Sequence, residues 1–319
     1  MKRNQSIDLI KIIAMLMVIM LHLWTARNDE GFLSPELPLG PIYSAGMPMF
    51  FMVSGYLLSM RKPSFEYSRI KIWGILRFCL IICIPLSAIM TVTSGDLVLL
   101  LPECFIGKGR LYQYWYFGSM MIIYAMLPYL LNIIQSKWLR PMLIGGFILS
   151  SFIFILTISN GFEEHIIITV RLWNWLFYFF LGAYIKLHEK DFKVIKWYWI
   201  IPSLVIYILL TKWAVAEGNL YCSPLCMIHS MVCFVSILNL NISDSKLVAA
   251  LSDCFLPVYT FHLFIEVFLC SKTPLFKAME CSFQTETAYI MEYLVVAIVC
   301  ISASLLLMRI PYMDKIFKI

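Results

Sequence analysis

The fold class this sequence predicts is all-α: a polytopic membrane helix bundle of about ten transmembrane spans. Three observations predict it. Of the 319 residues 61% are hydrophobic and only 14% are charged; the mean hydropathy is +0.83; and the apolar residues fall in continuous runs, not in the apolar/polar alternation of a membrane β-strand. The formal net charge of +6 then describes loops on one side of a membrane, and no nucleic-acid partner is expected. The cysteines lie mostly within apolar runs, Cys79, Cys83, Cys233, Cys254 and Cys300 among them. They read as small core residues, and no disulfide framework is implied.

Charged clusters and Pro/Gly-rich stretches divide the chain into spans at 7–25, 41–60, 72–93, 112–133, 139–158, 166–187, 197–215, 221–240, 251–270 and 288–309. The first follows Met1-Lys2-Arg3 as a signal peptide would, but it carries Lys11 and His22 and no small-x-small site follows, so a retained span is expected. The second holds Ser54-Gly55 and leads into a basic stretch with Arg61, Lys62, Arg69 and Lys71; the third carries Arg77 about a turn and a half inside, where it should face the bundle and find an anion. The run from Asp96 to Gly107 is too short to cross and contains Pro102 and Glu103, as an interfacial or re-entrant segment would. The fourth span opens on Tyr112, Tyr114, Trp115 and Tyr116, the fifth follows Lys137, and the sixth has Arg171 near its outer end. Trp197 and Trp199 open the seventh as interfacial anchors. The eighth bears Cys222, Cys226, His229 and Cys233 on one stripe; a straight helix spreads such positions along about 16 Å, so it cannot wrap them around one ion, and no bound metal is expected. On the ninth, Tyr259, His262 and Glu266 share a face, and the tenth is closed by Arg309.

With the N-terminus inside, sixteen Lys and Arg fall in inner segments and six in outer loops, Arg27 among the six, while Lys11, Arg77 and Arg171 lie within spans. That asymmetry predicts both termini in the cytoplasm.

Ionisable groups inside a membrane are costly, so they are where function is sought. Lys11, Met15, Val18 and His22 form one stripe, with a cation near the inner boundary and a proton acceptor toward the outer half. Snorkelling alone would also explain Lys11, and a hydrogen-bonded interior histidine would explain His22. Asp8 lies near Lys11 on the same span. In the ninth span, His262 oriented by Glu266 one turn away is an acid/base pair, an acceptor-binding wall or a structural pair. Arg171 is a counter-ion to either histidine site or to an anionic acceptor, or else neutralises Glu163 or Glu164.

The stretch Ser6-Ile7-Asp8-Leu9-Ile10-Lys11-Ile12-Ile13-Ala14 followed by His22 resembles the opening motif of the integral-membrane acyltransferase-3 family. Met47-Pro48-Met49-Phe50-Phe51-Met52-Val53-Ser54-Gly55-Tyr56-Leu57-Leu58 resembles that family's Pro-x-Phe-Phe-x-x-Ser-Gly-Phe-Leu signature; Trp115 to Pro128 and Tyr259-x-x-His262 agree more loosely. Lys11 stands where the family has arginine, keeping the charge but losing the guanidinium fork, and Arg69 and Lys71 are the nearest match to a paired basic motif.

The resemblance covers essentially the whole chain and implies one acyltransferase domain over 1–319, without a soluble appendage, in a bacterial cytoplasmic membrane. It implies transfer of acetyl from acetyl-CoA, as donor substrate, to a hydroxyl of a cell-envelope glycan. In that scheme Lys11, Arg69, Lys71 and Arg77 receive the donor's phosphates. His22 accepts the acceptor's proton or carries the acyl group itself. Ser54 and Gly55 position the acyl oxygen, or instead pack two helices closely. Tyr114 and Trp115 stack on a sugar ring, or serve as interfacial belt residues. From another class, a multi-span transporter or flippase of a small polar substrate or lipid-linked glycan would also use ten spans, but it often shows an internal repeat, and none is found. A scaffold that has lost its chemistry is a third reading.

Overall fold

Runs this apolar satisfy their backbone polar groups only within themselves, so helix is the expected outcome. In the computed structural model, which describes residues 3–29, 39–94, 100–214 and 220–317, helices fill the chain and no strand occurs among those residues. The α-helices are α1 (Gln5–Asp29), α2 (Gly40–Tyr43), α3 (Gly46–Leu58), α4 (Phe65–Ser94), α5 (Leu100–Phe105), α6 (Trp115–Ile134), α7 (Leu139–Asn160) and α8 (Leu172–Leu187). They continue as α9 (Ile200–Ala214), α10 (Pro224–Leu238), α11 (Lys246–Asp253), α12 (Phe255–Lys272), α13 (Leu275–Ser282), α14 (Thr285–Leu307) and α15 (Met313–Ile316).

Every predicted span contains helix, but fewer elements reach crossing length. Among the described residues five helices are long and apolar enough to cross a membrane, within α1, α4, α6, α7 and α14, or six if a bent pair is one span. That pair is α11 with α12, bent by 57°. Pro257 explains the break: its ring clashes with the carbonyl four residues earlier, at Asp253, where α11 ends. The second predicted span is interrupted between α2 and α3, and the sixth begins only at Leu172, after a 3₁₀ turn. Two elements run longer than expected, α1 to Asp29 and α4 back to Phe65. The Asp96–Gly107 run is partly outside the described residues; the part within them is the short α5, followed by a 3₁₀ turn.

The chain divides into two units. One takes Met1–Val53, Lys190–Ala216 and Leu225–Lys315; the other takes Ser54–Glu189, Glu217–Pro224 and Ile316–Ile319. In the first, α1 packs on α11, α12 and α14, and α12 on α13 and α14. In the second, α4 packs on α6, and α8 on α6 and α7. Of the apolar window in α1, 61% is buried, against 17% in α7. The first span is therefore core, whereas α7 keeps most of its apolar surface outward, as lipid contact requires.

Gly161 ends α7 in the left-handed region at φ 69°, the usual helix-stopping use of glycine. Gly55 has a different reason: a Cβ there would collide with the carbonyl of Phe179, so α3 and α8 approach at backbone distance. Of the two readings of Ser54-Gly55, close helix packing is the one observed at Gly55. Ser54 hydrogen-bonds Tyr116.

Candidate active site

The apolar stripe of α1 points into the first unit. Met15 and Val18 are buried, and His22, a turn further on, is 7% exposed. Its ring faces that of His262 on α12, with centroids 5.0 Å apart. Two histidines 240 positions apart in sequence, read separately as two sites, thus form one pair.

His262 Nδ1 lies 3.0 Å from the carbonyl oxygen of Tyr259 and 3.1 Å from that of Val258. A carbonyl only accepts, so Nδ1 carries the proton and Nε2 is the basic nitrogen. That Nε2 is buried without a hydrogen-bond partner among the described residues, as are both carboxylate oxygens of Glu266. Glu266 therefore does not orient His262: the imidazole folds back on its own helix and satisfies Nδ1 there. Tyr259 packs alongside, its ring 5.9 Å from that of His262.

One turn beyond His22, Arg27 is 1% exposed and forms ion pairs with Glu280 of α13 and Glu292 of α14. This corrects the placement of Arg27 in an outer loop; α1 continues past it, and burial beside two carboxylates satisfies a cation that lipid would not. Neither glutamate stood out in the sequence. Glu292 carried the available signal, a carboxylate within the apolar run of the tenth span. Hydroxyl donations from Tyr289 to the Met20 carbonyl at 2.9 Å and from Tyr293 to that of Leu16 at 3.3 Å fix α14 against α1.

At the other end of α1, Asp8 is buried and accepts from Ser252 Oγ at 2.8 Å and from Arg3. Arg3 also donates to Asp253 and to the Ala249 carbonyl, each at 2.9 Å. Asp8 and Asp253 together raise the Arg3 guanidinium above its usual value, so this clasp between the start of α1 and α11 stays charged. Lys11 Nζ lies 4.0 Å from Asp8 Oδ1 and is partly exposed.

The remaining site residues belong to the second unit. Arg69 is exposed and Lys71 half-buried, its Nζ 5.7 Å from the Tyr67 ring centre. Arg77 does not face inward as expected: it is exposed, because α4 is held through Ile75, Phe78, Cys79 and Cys83 and Arg77 projects from a different face. Tyr114 and Trp115 do not present sugar-stacking faces either. Tyr114 is fully buried against Phe78 and Phe117, and Trp115 packs on Trp175 with centroids 4.7 Å apart. Of the alternatives for Arg171, neutralising Glu163 is what occurs, at 3.7 Å, with Nε donating to the Ile166 carbonyl at 2.9 Å.

His229 bonds Ser203 Oγ at 2.9 Å, and no group of three metal-ligating side chains is found among the described residues.

The family model described as an acyltransferase domain, acyltransferase-3, matches residues 4–309. A protein from Enterococcus faecalis named amino-acid racemase is 30% identical over 145 residues, which is 42% of this chain and 20% of that protein. The chain thus spans about a fifth of that relative's length. No solved structure matches.

Proposed function

The chain belongs to the acyltransferase-3 family, and from that premise we propose that it is a membrane O-acyltransferase moving an acetyl group from acetyl-CoA to a hydroxyl of a cell-envelope or exported polysaccharide. The observation that carries the reading is the buried His22–His262 pair, 5.0 Å between centroids, in which His22 lies on the helix that bears the family's opening motif.

In this scheme the acceptor O–H gives its proton to His22 as its oxygen attacks the thioester carbonyl; the C–S bond breaks, an ester forms, and the imidazolium returns the proton to the departing thiolate. In the covalent variant His22 attacks the thioester carbonyl first, the C–S bond breaks and the thiolate leaves with the imidazole N–H proton; the acceptor hydroxyl then attacks the acyl-imidazole, forming the ester and returning its proton to the imidazole. Either route suits a neutral imidazole kept from water. His262 sits against it as a second proton acceptor through Nε2. Lys11, Arg69 and Lys71 remain candidates for the donor's phosphates, as charges that need only reach an aqueous boundary. Ten crossings with both termini in the cytoplasm of a bacterial cell complete the proposal, supported by the asymmetry of basic residues.

The test is transfer of labelled acetyl from acetyl-CoA by purified protein to exported glycan. His22→Ala protein, made at normal levels, should transfer none; an unchanged rate in that variant overturns the mechanism. Acid-quenched label on the protein distinguishes the covalent route from the general-base route.

A further inference from the structure

The second unit contains a cavity of about 710 Å³ that the catalytic scheme does not use. The segment after α3 supplies Arg61 and Lys62, the turn between α6 and α7 supplies Gln135 and Lys137, and Arg140 and His188 complete the wall. All belong to the one unit. Among the described lining residues there is no carboxylate, and Arg61, Lys62, Lys137 and Arg140 have no ion-pair partner among the described residues. The acid nearest in sequence to His188 is Glu189, and it is engaged by Lys186 at 2.7 Å and by the Tyr56 hydroxyl.

The cavity is also built, not merely rimmed. Gln135 Nε2 donates to the Arg61 carbonyl at 2.7 Å and to that of Ser59 at 3.3 Å, which fixes the α3–α4 connection to the end of α6. The Arg61 guanidinium carbon stands 4.3 Å from the centre of the Tyr67 ring, limiting where the fork can point. Topological bias alone places lysines and arginines on one side of a membrane, but it gives no reason to gather them around one concavity free of acids. Like charges converging there repel one another, and a multiply charged anion removes that repulsion. Two guanidinium forks with two ammonium groups suit phosphate oxygens, and the volume is that of a small-molecule site, for which about 300–1,000 Å³ is usual.

We propose that this cavity binds a ligand carrying two or more phosphate charges. The same chemistry is offered by a soluble nucleotide with two or more phosphate charges and by the head of a phospholipid that carries two phosphates, as diphosphatidylglycerol does; the proposal does not depend on acyl transfer.

The experiment uses the purified full chain. Calorimetric titration with 3′,5′-ADP and inorganic pyrophosphate reads the soluble source, and native mass spectrometry from diphosphatidylglycerol-containing against phosphatidylcholine bilayers reads the lipid source. Binding of a soluble probe, or selective retention of diphosphatidylglycerol, is expected, and it should weaken at least tenfold in Arg61→Gln/Arg140→Gln protein and fall with added salt. Both residues are exposed, so the variant should keep the parent's elution profile. Absence of binding by every probe, or equal binding to the double variant, overturns the proposal.

Discussion

Replacing Arg27 by methionine leaves Glu292, fully buried, and Glu280 without their cation. Breaking one side of a buried pair costs about 3–5 kcal/mol, so Arg27→Met should lower the thermal unfolding midpoint in detergent markedly. Arg27→Met combined with Glu292→Gln should recover part of that loss, because less charge is then stranded. His22 behaves differently. Asparagine keeps a polar side chain at this buried position, so His22→Asn should unfold near the parent temperature while acetyl transfer falls by about 10²–10⁴, the usual contribution of a positioned acid or base. An Asn variant as active as the parent would remove His22 from the chemistry. His262→Gln tests the partner: transfer should fall less than for His22→Asn, with a shifted pH profile if Nε2 is part of the proton path.

The close approach of α3 and α8 at Gly55 makes a prediction of another kind. Any Cβ there must push two helices apart, and overpacking of this sort costs about 1–3 kcal/mol or more; Gly55→Val should reduce folded yield in membranes, measured by fluorescence-detected gel filtration, with Gly55→Ala intermediate. Helix existence was legible in the sequence because the apolar runs are long and no alternative satisfies their backbone. Helix length was less so. Pro257 breaks one predicted span into α11 and α12, a turn separates α2 from α3, and the end of α1 lies beyond the apolar run because Arg27 is satisfied by groups from α13 and α14. Hydropathy cannot register a partner contributed by another element. The same limit hid the meeting of His22 with His262 and the outward direction of Arg77, although the stripe of α1 was readable from its period alone.

At the scale of the whole chain, the proposed topology puts the connection between α12 and α14 outside the cell. Cys281, exposed on that connection, is the probe. A membrane-impermeant maleimide added to intact cells should label the parent, and Cys281→Ser protein should lose most of that signal, since Cys79, Cys83, Cys222, Cys226, Cys233, Cys254, Cys270 and Cys300 are buried. Labelling only after the cells are opened would invert the assignment of sides. The two units add a point about order. One is built from pieces on both flanks of the other, so the chain leaves the first unit after Val53 and returns at Lys190. On a ribosome adding roughly 5–20 residues per second, the 240 residues from His22 to His262 take about 12–50 s to make. Throughout that interval the first helix sits in the bilayer with its imidazole, its Arg27 and its Asp8 lacking the companions that α11, α12, α13 and α14 will bring. The proposed reactive centre is among the last parts of the protein to be completed, so a chain interrupted before α12 lacks the His22–His262 pair.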